Sequence, residues 1–242
     1  MIINESFENG IHAVSISEAG AKHKATNLPN QDCCAFMMDG ESFLIAVADG
    51  VGSCKYAEQA SLKACSICQD LFQDMIKQNL KPDGVMLVET LTKKWLSYLS
   101  EKDSMEYCTT LKAVFQLDSK LILISIGDGL LMASSGSKTV MAPSDQCDFL
   151  NETTCLSSKL RSSDIWVTDL SVASGICTIF ISTDGVSNGI ISGQEMALLE
   201  ELRDHIGTEC LRDELISFFN EVRLHNADDK TVGVVKYDHQ DG

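Results

Sequence analysis

Asp49, Asp128 and Asp184 each stand just beyond an apolar run with glycine beside them, and Asp228-Asp229 stands just before the last apolar run of the chain. Taken singly, an Asp-Gly pair marks a tight turn, because glycine accepts positive φ and aspartate bonds its own backbone. Taken together, the set suggests chemistry. If the runs are strands of packed sheets, their ends gather at one edge and aim several carboxylates into a common cleft. Like charges so placed repel strongly unless cations neutralise them. Hard oxygen donors with no accompanying histidine or cysteine cluster select Mg²⁺ or Mn²⁺ over zinc or copper. Glycine next to Asp49 would also let a backbone carbonyl approach an ion.

The elements that must position these residues follow from periodicity. Ile11 to Ser17 alternates in polarity and Phe43 to Ala48 is a short apolar run, so both read as strands, the second buried on both faces. From Tyr56 to Gln78, residues Ala57, Ala60, Ala64, Cys68, Leu71 and Met75 recur at three- and four-residue intervals, the stripe of an amphipathic helix. Leu87, Leu91, Trp95 and Leu99 repeat the stripe in a second helix. Residues 108–117, 121–126 and 130–134 are β-rich runs joined by Asp118-Ser119 and by Gly127-Asp128-Gly129, for which an antiparallel meander is the economical reading. Residues 136–175 show weak periodicity and many Ser, Asp and Thr, so they are expected to be irregular and to form a covering flap. A strand over 176–182 follows, then two helical patterns, one with Met196, Leu199 and Leu202, the other with Leu211, Leu215, Phe218 and Val222. A last strand covers 231–237. Strands in blocks with helices segregated between them predict an α+β fold: a four-layer α-β-β-α sandwich of two antiparallel sheets flanked by helices. With no fixed-period repeat and no linker, a single domain over residues 1–242 is expected.

Composition narrows the partners. Nineteen Lys and Arg against 35 Asp and Glu give a formal charge of -16, which repels phosphate backbones and anionic lipid, so nucleic acid and membrane are poor partners. No apolar run approaches the roughly 20 residues of a membrane-crossing helix. The opening MIINESFENG lacks a basic region, an apolar run and a cleavage site, so the ten cysteines are expected in a reducing cytoplasm. Cys65 and Cys68 have C-x-x-C spacing but fall inside a helical pattern with no second pair, which makes them core residues rather than zinc ligands.

The segments GAKHKATNLPNQD (20–32), AVADGVGS (46–53), CTTL (108–111), SIGDGLLMAS (125–134), ISTDGVSNG (181–189) and ADDKTVGVV (227–235) run in order along nearly the whole chain. In this order and spacing they resemble the metal-dependent serine/threonine protein phosphatases of type 2C, in particular their compact bacterial branch, to which NETTCLSS (151–158) is also similar. The resemblance implies that Asp49 bridges two metal ions, Gly50 lends its carbonyl to one of them, and Asp184 and Asp228 complete the other. It implies that Asp32 holds metal-bound water and that Asp128 supports, with Asp184, a third and weaker metal. The implied reaction is hydrolysis of phosphoserine or phosphothreonine in a protein, including one modified by a partner Ser/Thr kinase. A hydroxide bridging two Mg²⁺ or Mn²⁺ ions attacks phosphorus in line, without a phosphoenzyme.

Three positions depart from the family pattern. Where many relatives carry an arginine that grips the substrate phosphate, this chain offers Lys22, His23 and Lys24; His23 or Lys22 is the candidate substitute, the alternative for His23 being plain surface charge. Val51 occupies the place of a histidine proposed as an acid in eukaryotic members, so the sequence names no proton donor. Gln31 replaces the glutamate of a Glu-Asp pair, which predicts weaker metal affinity rather than lost activity. Thr109 and Thr110 read as scaffold at the start of a strand. Two rival readings stand beside the phosphatase: a catalytically silent module of the same fold that binds a partner, and a two-metal nuclease, which the charge disfavours.

Overall fold

A computed structural model describes residues 1–100, 102, 104–144, 154–205 and 207–239. Its strands are β1 (Ile2–Glu8), β2 (Ile11–Glu18), β3 (Asp32–Asp39), β4 (Ser42–Asp49), β5 (Leu111–Leu117), β6 (Lys120–Ile126), β7 (Leu130–Ser135), β8 (Lys138–Met141), β9 (Trp166–Ser171), β10 (Gly175–Ser182) and β11 (Lys230–His239). Its helices are α1 (Ala21–Thr26), α2 (Ala57–Gln78), α3 (Gly84–Leu99), α4 (Asp184–Ser187), α5 (Glu195–Asp204) and α6 (Leu211–Val222). The strands form a six-stranded sheet in the order β1-β2-β11-β10-β7-β8 and a five-stranded sheet in the order β3-β4-β5-β6-β9. Every ladder is antiparallel. Among the described residues no helix is long and apolar enough to cross a membrane.

Three apolar layers hold four layers of structure together. Leu44, Ala46 and Ala48 of β4 face α2 and α3, packing with Leu71, Phe72 and Trp95. The alternate residues Phe43, Ile45 and Val47 face the other sheet, packing with Ile179, Ile181 and Val235. Because successive side chains of a strand point to opposite faces, a strand covered on both faces is apolar throughout, as β4 is. On the far side, Val14, Ile16, Phe180 and Val232 meet Leu199, Leu215 and Phe219 of α5 and α6. Cys65 and Cys68 are buried on α2 in the first of these layers. In the middle layer the space above Gly233 is filled by Ile45, whose Cδ1 would stand 2.7 Å from a Cβ at that glycine. Ile45→Ala is therefore expected to open a cavity between the sheets and to cost about 2–5 kcal/mol; a urea midpoint close to wild type would contradict this packing.

Several sequence expectations need correction. The three runs 108–117, 121–126 and 130–134 do not form one meander: β5 and β6 pair in the five-stranded sheet, whereas β7 pairs with β8 and β10 in the six-stranded one. Gly127-Asp128-Gly129 is a crossover between sheets. Gly127 and Gly129 adopt φ of +79° and +89°, and a Cβ on either would collide with the Thr154 or Ser182 carbonyl respectively. The stretch 136–175 is not irregular throughout, since it contains β8 and the edge strand β9; residues 145–153 of it, with the first part of NETTCLSS, lie outside the described residues. Strands β1 and β3 add to the expected set, and both are sheet edges whose half-exposed faces weaken the alternation. On α6 the buried ring is Phe219; Phe218 is half-buried and meets Phe180 edge-on at 6.0 Å.

Candidate active site

Strand ends from both sheets place the carboxylates. Asp32 opens β3 and Asp49 closes β4, and the two are paired across the antiparallel ladder. The main chain of Asp49 is clamped by the residues just before β5. Its N–H donates to Thr110 Oγ1 at 3.0 Å, and its carbonyl accepts from Thr110 N at 2.8 Å and Thr109 Oγ1 at 2.8 Å. Thr109 and Thr110 thus serve as scaffold, and what they support is the aspartate itself. Gly50 donates its N–H to the Gln31 carbonyl at 3.0 Å, and the Ala57 carbonyl occupies the place a Cβ would take.

From the six-stranded sheet, Asp184 follows β10 as the first residue of α4, and Asn188 Nδ2 donates to its Oδ2 at 3.3 Å. Thr183, just before it, ties the sheets together: its hydroxyl donates to Asp32 Oδ2 at 2.8 Å and accepts the Thr231 N–H at 3.0 Å. Asp128 sits in the crossover after β6, and Asp228 lies in the exposed turn before β11, where its Oδ1 accepts the Asp229 N–H at 3.1 Å. Asp49, Gly50, Asp128, Asp184 and Asp228 line one cleft of about 510 Å³, together with Lys22 and His23. Asp32 lies behind Asp49, 7% exposed, and is not part of the cleft wall.

The charges of this cluster are mutually hostile. Burial, then the neighbouring Asp32 and Asp184, push the Asp49 carboxyl up to about 11. Burial raises Asp32 to about 7, and burial followed by Asp128 and Asp228 raises Asp184 to about 6. Asp32 Oδ1 and Asp184 Oδ1 are fully buried without any hydrogen-bond partner, which is costly unless something else satisfies them. Among the described residues no group of three or more acidic, histidine or cysteine side chains is arranged to hold a metal ion as it stands. The donor set nevertheless fits a hard divalent cation: all oxygen, acidic, with two orphaned carboxylate atoms.

Two residues beyond the sequence-derived set help to build the site. Asp229 is 3% exposed; its Oδ1 accepts from Gly20 N at 2.6 Å, and its Oδ2 accepts from Gln31 N at 2.6 Å and from the His23 ring at 2.8 Å. One carboxylate therefore gathers the start of α1, the approach to β3 and the turn before β11. The Asp-Asp pair was the only sign of it in the sequence, with nothing to show that the two neighbours differ in role. Lys112, 2% exposed on β5, donates from Nζ to Ser125 Oγ at 2.8 Å and to the Gly127 carbonyl at 2.5 Å. It pins the crossover that carries Asp128, and its sign was a lysine inside an otherwise apolar run.

Two antiparallel sheets between helical layers, with carboxylates at the strand ends of both, define the fold of the type 2C protein phosphatases. The Protein phosphatase 2C family matches residues 19–220, and the chain belongs to that family. Among solved structures it is similar to RsbX in complex with magnesium, with a TM-score of 0.69 at 14% identity, covering 98% of this chain and 100% of that one. It is likewise similar to the catalytic domain of the serine/threonine protein phosphatase PstP in complex with two manganese ions, with a TM-score of 0.67 at 17% identity over 94% and 97% of the two chains. The serine/threonine phosphatase of S. agalactiae gives a TM-score of 0.65 at 15% identity over 95% and 100%. At these identities the likeness is one of fold. No curated protein matches the chain in sequence.

Proposed function

We propose that the chain is an active metal-dependent protein serine/threonine phosphatase. The observation that carries this reading is the acidic cleft on which Asp184 Oδ1, and just behind its wall Asp32 Oδ1, are buried without hydrogen-bond partners beside an Asp49 that burial and its neighbours keep protonated. Asp49 and the Gly50 carbonyl would hold one ion, Asp49, Asp184 and Asp228 a second, and Asp128 with Asp184 a weaker third, while Asp32 orders water behind them. Bound there, Mg²⁺ or Mn²⁺ supplies charge neutralisation and a water acidified towards hydroxide. Lys22 and His23, on the same cleft, would orient the phosphate, as a point charge and a directional donor rather than an arginine fork. A chain of charge -16 needs such cations to accept a phosphate dianion at all.

The substrate would be a phosphorylated protein, with a Ser/Thr kinase as the opposing activity and the cytoplasm as the setting. A protein fraction purified in EDTA should be inert towards p-nitrophenyl phosphate and phosphoserine peptides, and should regain activity on adding Mn²⁺ or Mg²⁺. Inactivity with both ions on both substrates would sink this reading and leave the silent partner-binding module in its place.

A further inference from the structure

Hydrolysis of a seryl or threonyl phosphate expels a strongly basic alkoxide, and general acid catalysis of such a departure contributes about 10²–10⁴-fold. Val51 leaves the position after Asp49-Gly50 without a titratable side chain. Elsewhere on the same cleft, the His23 ring meets Asp229 Oδ2 through Nδ1 at 2.8 Å. Three donors converge on the two oxygens of Asp229, a buried group that accepts from Gly20 and Gln31 as well. A carboxylate is an acceptor only, so the ring nitrogen facing it is the protonated one. Among the described residues this is the ring's one hydrogen bond, so Nε2 has no partner among them, on a ring that lines the cleft. Besides Asp229, the charged groups that line the same cleft are Lys22, Asp49, Asp128, Asp184 and Asp228.

We propose that Asp229 holds His23 so that Nε2 delivers a proton to the departing seryl or threonyl oxygen; this deepens, and rests on, the phosphatase reading above. As a water-derived hydroxide oxygen bonds to phosphorus, the P–O ester bond breaks and its electron pair passes to the substrate oxygen. The proton on Nε2 of the imidazolium moves to that oxygen. Inorganic phosphate and a free hydroxyl result, and the neutral ring regains its proton from solvent. His23 is the catalytic residue and Asp229 a positioning residue. The same pair would look alike if it merely pinned α1 to the turn before β11, and the leaving group separates the two cases.

The experiment compares wild type, H23Q and D229N with Mn²⁺ on a phosphoserine peptide and on p-nitrophenyl phosphate, whose leaving group needs no proton. The readout is the ratio of the two kcat values, so that a general loss of phosphate binding cancels. For H23Q the ratio is expected to fall about 10²-fold, and for D229N to fall in the same direction by less. In parallel, ¹⁵N NMR of the EDTA-treated wild type is expected to show the neutral His23 ring as the Nδ1–H tautomer, with D229N shifting it towards Nε2–H. An unchanged ratio in H23Q, or an Nε2–H ring in the wild type, overturns the proposal. A wild type inert on both esters overturns the phosphatase reading itself, and the inference with it.

Discussion

Asp49→Asn is expected to reduce metal-dependent phosphate ester hydrolysis by about 10³-fold or more, yet to make the cation-free protein harder to unfold. The two effects have one origin. In the folded chain, burial and the charges of Asp32 and Asp184 push the Asp49 carboxyl up to about 11, whereas in an unfolded chain it titrates near the ordinary carboxylate value of about 3.9. Above that value the unfolded form has lost the proton and the cation-free folded form still keeps it. The folded form therefore binds more protons, and its stability falls as pH rises from about 4. Asparagine has no such proton to hold. In EDTA at pH 8 the variant should melt above wild type, and the gap should close as the pH is lowered towards 4. Adding Mn²⁺ should reverse the order, because on the proposed reading wild type gains stability from a bound ion by mass action and the variant lacks the carboxylate proposed to hold it. A variant that melts below wild type in EDTA at every pH would show that Asp49 is held by hydrogen bonding rather than strained by its neighbours.

Gly50→Ala should be nearly as damaging although it removes no carboxylate. Its Cβ would collide with the Ala57 carbonyl at the start of α2, and a carbonyl at a helix start cannot swing aside as a flexible side chain can. The backbone between Gly50 and Ala57 has to move, and with it the Gly50 N–H bond to Gln31 and the carbonyl proposed to face an ion. Overpacking of this kind costs about 1–3 kcal/mol or more, and a misplacement of about 1 Å is enough to lose about 10²-fold in rate. Gly52→Ala is the control: there the Cβ meets only Gln31 Oε1 at 3.6 Å, an ordinary contact, and activity should stay within about threefold of wild type. Equal activity in the two alanine variants would show that the loop after β4 tolerates displacement.

Much of this was legible in the sequence because the same physics wrote it twice. β4 reads as a strand covered on both faces because both faces are buried, one on helices and one on the opposite sheet. The aspartates stand out because a strand end needs a glycine where the chain passes close to another backbone, as at Gly50 and Gly129. Other features left weak signals for equally physical reasons. Gly127-Asp128-Gly129 announces a turn, but the composition of a turn does not say whether the chain returns beside its own strand or crosses to another sheet. β1 and β9 are edges, and an edge strand half in water loses the alternation that would reveal it. Asp229 has the same side chain as its neighbour Asp228, and only burial separates an organising carboxylate from an exposed one. Lys112 obeys no pattern, because a buried ammonium depends on two oxygen partners that come from a different strand and from the crossover.

The hydroxyl of Thr183 joins Asp32 of one sheet to Thr231 of the other, and the carboxylates themselves are divided in the same way, with Asp32 and Asp49 on one side and Asp184 and Asp228 on the other. The cleft is thus a seam between two halves, and neither half possesses it alone. Sliding one sheet against the other by a single residue would not weaken the donor set gradually; it would dissolve it. Any ion held there would act as a rivet across the seam, so that the proposed catalysis and the correct docking of the halves would be gained and lost together during folding.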